Sequence, residues 1–303
     1  MSFRFESGSS VADNVRRIAC EQVELARAHL ANPPDDDIHQ GIHEARKCFK
    51  RLRGLLRMAR PALGHDRYRQ ENIRFRDAAR SLSTVRDAQA LVESFDMLET
   101  RYGLRVDFER MRPLHSRLVQ RRERVAREQT DLDERVQQVI GTLDDSMNVI
   151  ETWPLAHAGC NDIARGMRKV YKRARKGWKR ARKNQDPKQM HDWRKRAKYL
   201  RYHFQLLKGV DTDRAGGWHK GFRELSDLLG DHHDLEVLRK TLDEMDQSGL
   251  DPVAECEFRT LLRDTEDVLY LETLSCGDAL LKHKPGKMRK RVLHNLLDAQ
   301  KGC

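Results

Sequence analysis

Apolar residues recur along nearly the whole chain at spacings of three and four, the period of an amphipathic α-helix. Val11, Val15, Ile18, Val23 and Leu25 mark a first helix over about Ser10–Ala31. A polar loop with Pro33-Pro34 and three aspartates follows, at a point where a helix N-terminus favours negative charge. Ala45, Cys48, Phe49, Leu52, Leu55, Leu56 and Ala59 then form the apolar face of a helix expected from Ile38 to Arg60, with Pro61 as its stop. The same period predicts helices over Arg67–Leu82, Thr84–Tyr102 and a long charged stretch from Val106 to Val149. The second half gives Asp162–Lys183, Pro187–Lys208, a loop from Gly209 to Gly217, then Trp218–Leu229, Asp231–Gln247, Pro252–Leu281 and a short last helix after Pro285-Gly286.

The order repeats because the sequence repeats. The pattern H-x-x-R-K-x-x-K-x-L-R occurs as His43, Arg46, Lys47, Lys50, Leu52, Arg53 and again, 148 residues later, as His191, Arg194, Lys195, Lys198, Leu200, Arg201. At about 100° per residue the basic members of each copy share an arc of about 120°, and Arg57 extends the first arc by a turn. Phe75-Arg76 aligns with Phe222-Arg223, and Arg86-Asp87 with His233-Asp234. The expected fold class is all-α: two tandemly duplicated helical bundles with pseudo-twofold symmetry, one over residues 1–152 and one over 153–303.

Charge singles out one segment. Of the net +12, residues 151–200 alone contribute 16 − 4 = +12, and ten of the sixteen residues from Arg168 to Lys183 are basic with no acid among them. A solvated helix face ordinarily carries both signs, so an anionic partner is expected. Arg168, Lys172, Arg175, Lys179 and Arg182 form an i, i+3/i+4 row, which beside His191–Arg201 makes a cationic wall two helices wide. Arg is a fork of donors for phosphate oxygens and Lys a mobile point charge. Six scattered cysteines, without paired spacing, point to reduced thiols in a cytoplasmic protein, and no apolar run reaches membrane-spanning length. His43 and His191 have three readings: capping or core-edge residues, phosphate donors, and, least favoured among so many cations, a phosphohistidine or metal-ligand role. Asp87 and Asp234 are read as partners of the signature cations or as helix starts. His232-His233-Asp234 is not expected to form a metal site, because adjacent helix positions diverge by about 100°.

Two His-led basic helices, each followed by an L-x-x-x-R/H-D segment, resemble the CHAD family, the conserved-histidine α-helical domains. Lys282, Lys284, Pro285 and Lys287 are similar to that family's closing basic segment. The resemblance implies a module that binds inorganic polyphosphate, with polyphosphate granules and their proteins as further associations. The E-x-E-x-K strand of the triphosphatase domains fused to some members does not occur here, so no triphosphatase activity is implied. Neither a P-loop nor a nucleophile elbow is found, and the expectation is a binder without cofactor or metal rather than an enzyme. Two rivals remain: a nucleic-acid-binding protein, disfavoured by an aromatic content of 6%, and a polyphosphate-processing enzyme using His43 or His191.

Overall fold

The computed structural model describes residues 3–128, 131–210, 212–246 and 250–301. Among these the regular structure is helical throughout: α1 (Val11–Ala31), α2 (Ile38–Leu63), α3 (His65–Ser81), α4 (Thr84–Tyr102), α5 (Arg112–Arg127), α6 (Leu132–Glu151), α7 (Cys160–Ala181), α8 (Pro187–Leu207), α9 (Thr212–Glu244), α10 (Pro252–Leu281) and α11 (Pro285–Lys301). Helix starts follow the capping residues. Ser10 accepts from the Asp13 amide, Asp37 from His39 and Asp186 from Gln189, each supplying one of the amides a helix N-terminus leaves unpaired.

Several boundaries differ from the sequence reading, each for a local reason. α2 runs through Pro61 and ends at Gly64, whose φ of 78° lets the chain turn and whose amide donates to the Arg60 carbonyl. The stretch 106–149 divides into a 3-10 turn at Phe108–Met111, then α5 and α6. Periodicity predicts two helices around Gly230, but α9 is continuous there, and it begins at Thr212 inside the expected loop. The expected end at Gln247 lies outside the described residues.

Two apolar cores form, and neither belongs to one half of the chain. The larger joins α1–α3 and α6 to α7, α8, the middle of α9 and α11. The smaller is built from Leu91–Leu98 on α4, Leu114 and Leu118 on α5, Leu235–Leu242 on α9 and Phe258 and Leu262 on α10, with the Phe95, Phe108 and Phe258 rings in mutual contact at 5.3–6.1 Å. The division at residue 152 therefore does not separate two cores.

Three helix crossings place the basic surfaces. α2 packs on both α7 and α8, and α7 also packs on α8. Gly166 of α7 meets α2 so closely that a Cβ there would overlap the Met58 carbonyl oxygen. Gly54 of α2 meets Tyr202 of α8, where a Cβ would come within 3.2 Å of the Tyr202 Cβ. Gly54 and Tyr202 both lie on the signature arcs, so the two arcs face each other at this crossing. His203, fully buried, places Nε2 2.9 Å from the Gly54 carbonyl oxygen and strengthens the contact.

Candidate anion-binding site

The signature faces turn inward, toward helices that carry acids and free carbonyls. On α2, Arg46 donates to the Leu82 and Ser83 carbonyls at 3.2 and 2.9 Å, filling positions that the end of α3 leaves unpaired, and lies 3.7 Å from Asp87. On α8, Arg194 lies 3.7 Å from Asp234 and Arg201 2.7 Å from Asp227. The reading of Asp87 and Asp234 as partners of signature cations matches this geometry. Lys47 pairs with Glu44 at 2.7 Å, Arg53 donates to Asn72 at 3.3 Å, and Lys195 lies 3.9 Å from Asp192. Lys50 is half-buried. Lys198, on the second signature arc, is half-buried where α8 packs on α9. Burial, with Arg194 and Arg201 adjacent, pushes its ammonium down to about 8.

The two histidines sit differently. The His191 ring lies against that of His233, tilted by 42° with centres 4.8 Å apart. Burial pushes both down to about 4, helped at His191 by Lys195 and at His233 by Arg194, so both rings are neutral near pH 7. His43 instead lines a cavity of about 490 Å³ between the start of α2, α4 and α5, with His39, Gln89, Glu93 and Arg122 on its walls.

Free cations gather elsewhere. A cleft of about 480 Å³ lies between the end of α2, the start of α3 and the first turns of α7. Its walls are Arg57, Arg60, Pro61, Gly64, His65, Arg165, Gly166, Arg168, Lys169 and Lys172, without a single carboxylate. α3 opens into it with no side-chain cap on its N-terminus, so the helix adds unpaired amides to the guanidinium and ammonium groups. Arg57 stacks 4.0 Å over the Tyr199 ring and donates to the Arg53 carbonyl at 2.6 Å. Burial lowers its pKa. Lys169 is lowered by burial and by Arg60 and Arg173, the mark of like charges crowded together. Arg165, beside Asp162 at 3.6 Å, and His65, beside Asp66 at 3.1 Å, are partly offset members.

The row on α7 is rotated from the expected one. Its buried residues, among them Ile163, Met167, Val170, Ala174 and Trp178, oppose a stripe centred on Arg165, Lys169, Lys172 and Lys176. Arg168, Lys172 and Lys179 border or share that exposed stripe. Arg175 and Arg182 lean toward α10: Arg175 donates to the Leu281 carbonyl at 3.0 Å, and Arg182 lies 3.4 Å from Asp278 and over the Trp178 ring. Tyr171 is buried and donates to the Leu280 carbonyl at 3.0 Å. That bond and the one from Arg175 tie the exposed Lys282, Lys284 and Lys287 beside α7. Arg60, Arg165, Lys169 and Lys176 escape the sequence reading, although the apolar pattern of α7 locates its three members of this set.

A helical scaffold with two paired signature arcs matches a known sequence profile, that of the CHAD domain, over residues 17–243. The chain belongs to the CHAD domain family. The crystal structure of the CHAD domain from the plant Ricinus communis is similar in fold, with a TM-score of 0.61 and 20% identity over 97% of this chain and 95% of that one. No match was found among curated proteins. Among the described residues no helix is long and apolar enough to cross a membrane.

Proposed function

We propose that this CHAD protein binds inorganic polyphosphate, seating it in the cleft between α2, α3 and α7 and along the exposed stripe of α7 toward Lys282–Lys287. The cleft carries the reading, because it gathers Arg57, Arg60, Arg165, Arg168, Lys169 and Lys172 with no acid on its walls. A linear polyanion with one charge per phosphate and no bases asks for cations in rows and no stacking platform, and no Phe, Tyr or Trp lines the cleft. The paired signature cations hold α4 and α9 in place and add a positive field behind the cleft. Affinity then comes mainly from released counterions, and the protein acts as a binder, at granules where polyphosphate collects, rather than as an enzyme.

Competition at fixed ionic strength tests the ligand. Long-chain polyphosphate is expected to displace single-stranded DNA and RNA at equal phosphate concentration, while equal or tighter nucleic-acid binding contradicts the reading. Incubation with polyphosphate and a divalent metal is expected to leave chain length unchanged; shortening would make the protein an enzyme.

A further inference from the structure

We propose that the outer face of α5 is a second polyphosphate-binding surface, so that one molecule holds two segments of polyanion at once. The inference rests on the polyphosphate reading above and adds a site which that reading does not use. Arg117, Gln120, Arg121, Arg124 and Arg127 repeat the spacing of the signature positions 43, 46, 47, 50 and 53, and share an arc of about 120°. The signature arcs are covered by α4 and α9, whereas α5 packs on α4 and the Phe108–Met111 turn through Leu114 and Leu118. Its arginine arc instead lines an open cleft of about 680 Å³ that ends against Glu244, Met245 and Asp246. Arg121, Arg124 and Arg127 are exposed.

Charge and chemistry both favour a phosphate ligand. The helix carries six arginines and one glutamate, 6 − 1 = +5, and no lysine. Guanidinium groups bind phosphate oxygens in pairs, a geometry ammonium lacks. Acids border the row at its two ends only: Glu244 and Asp246 sit beside Arg117, which donates to the Asp246 carbonyl, and Glu128, just past the helix, lies 3.9 Å from Arg124. Cations in a last helical turn answer the helix dipole, which accounts for Arg124 and Arg127 but not for Arg117 and Arg121 further upstream. No aromatic side chain lines this cleft, so a stacked single strand finds no platform. The cleft shares no residue with the one between α2, α3 and α7, and it borders the smaller core while that one borders the larger. A protein with two such surfaces cross-links long chains.

The test counts short chains and watches long ones. End-labelled short polyphosphate is titrated into wild type, R121E/R124E and K169E/K172E, and light scattering follows each protein with long-chain polyphosphate. Wild type is expected to saturate at about two short chains per molecule, and R121E/R124E at about one, with the remaining site within roughly twofold of its original affinity. Scattering with long chains should disappear in R121E/R124E. If R121E/R124E keeps the wild-type stoichiometry and scattering, or if wild type binds a single chain that K169E/K172E abolishes, the second site is overturned and the polyphosphate reading stands. Wild type that binds no chain at all overturns both. R121Q/R124Q, which adds no new charge, must reproduce the loss, and a result confined to the glutamate variant counts against the site.

Discussion

Lys198 carries a cost in the folded protein, because burial and two neighbouring arginines disfavour its charged form. Its folded-state value of about 8 lies below the roughly 10.4 of an unfolded lysine, so between these values the unfolded chain holds more protons and stability rises with pH. Below about pH 8 the penalty of a buried ammonium is present in full. Lys198→Met should therefore stabilise the unliganded protein near neutral pH by about 1–2 kcal/mol, seen as a melting temperature higher by several degrees. An unchanged or lower melting temperature would mean that the ammonium is well paired where it sits. The histidine pair works at the acid side. His191 and His233, both at about 4, stay neutral while unfolded histidines take up protons near pH 6.5, so stability falls as pH drops from about 6.5 toward 4. The loss should be roughly 1 kcal/mol between about pH 6.5 and 5, below the full shift because His191 is partly open to water. His191→Phe, which keeps a ring against His233, should shrink that loss in denaturant titrations at the two pH values. An undiminished loss would assign the effect to other groups.

At the scale of the helix, α7 separates binding from support. Lys169 and Lys172 are exposed on its free stripe, so K169E/K172E should weaken polyphosphate binding severely while changing the melting temperature little. Arg175→Gln should do the reverse, costing about 1 kcal/mol by removing a donor from the Leu281 carbonyl and leaving affinity within roughly twofold. Equal effects of the two variants on affinity would put Arg175 back in the binding row. The expected row joins Arg175 and Arg182 to Arg168 and Lys172 because spacing alone sets an arc only up to rotation. The apolar residues of α7 fix that rotation, and Ala174 and Trp178, buried, turn it toward Lys169 and Lys176. Similarly, the helical period locates α2 and α8 and their apolar faces, but nothing local says that α4 and α9 cover the basic sides. That depends on acids more than thirty residues away, Asp87 and Asp234, and their placement as partners of the arginines is readable only because the pair occurs twice. Gly230 misleads for the opposite reason: α3 and α4 break at Leu82–Ser83, where Arg46 caps the free carbonyls, while α9 passes the matching point unbroken.

At the scale of the molecule, the anion cleft exists because α2 and α7 touch backbone to backbone. Gly166→Ala would force the Met58 carbonyl aside and should cost several kcal/mol, lowering the melting temperature and opening the cleft. A thermal melt like that of wild type would show that the crossing tolerates a Cβ. The all-helical class and the two cationic signature arcs are legible in the sequence, while the shared cores are not, since periodicity shows that a face is buried but not against which helix. The two sequence halves do not fold as separate bundles: α4 and α5 close the smaller core together with α9 and α10. The most direct test of polyphosphate binding in the cleft is the salt dependence of affinity for a labelled short chain, measured for wild type, R121Q/R124Q and K169Q/K172Q. Cleft binding predicts that K169Q/K172Q flattens the log–log slope of the site it lines by about 0.7 for each phosphate left without its cation and weakens binding there many-fold, whereas R121Q/R124Q leaves that site's slope unchanged. A K169Q/K172Q protein with wild-type affinity and wild-type slope would contradict it.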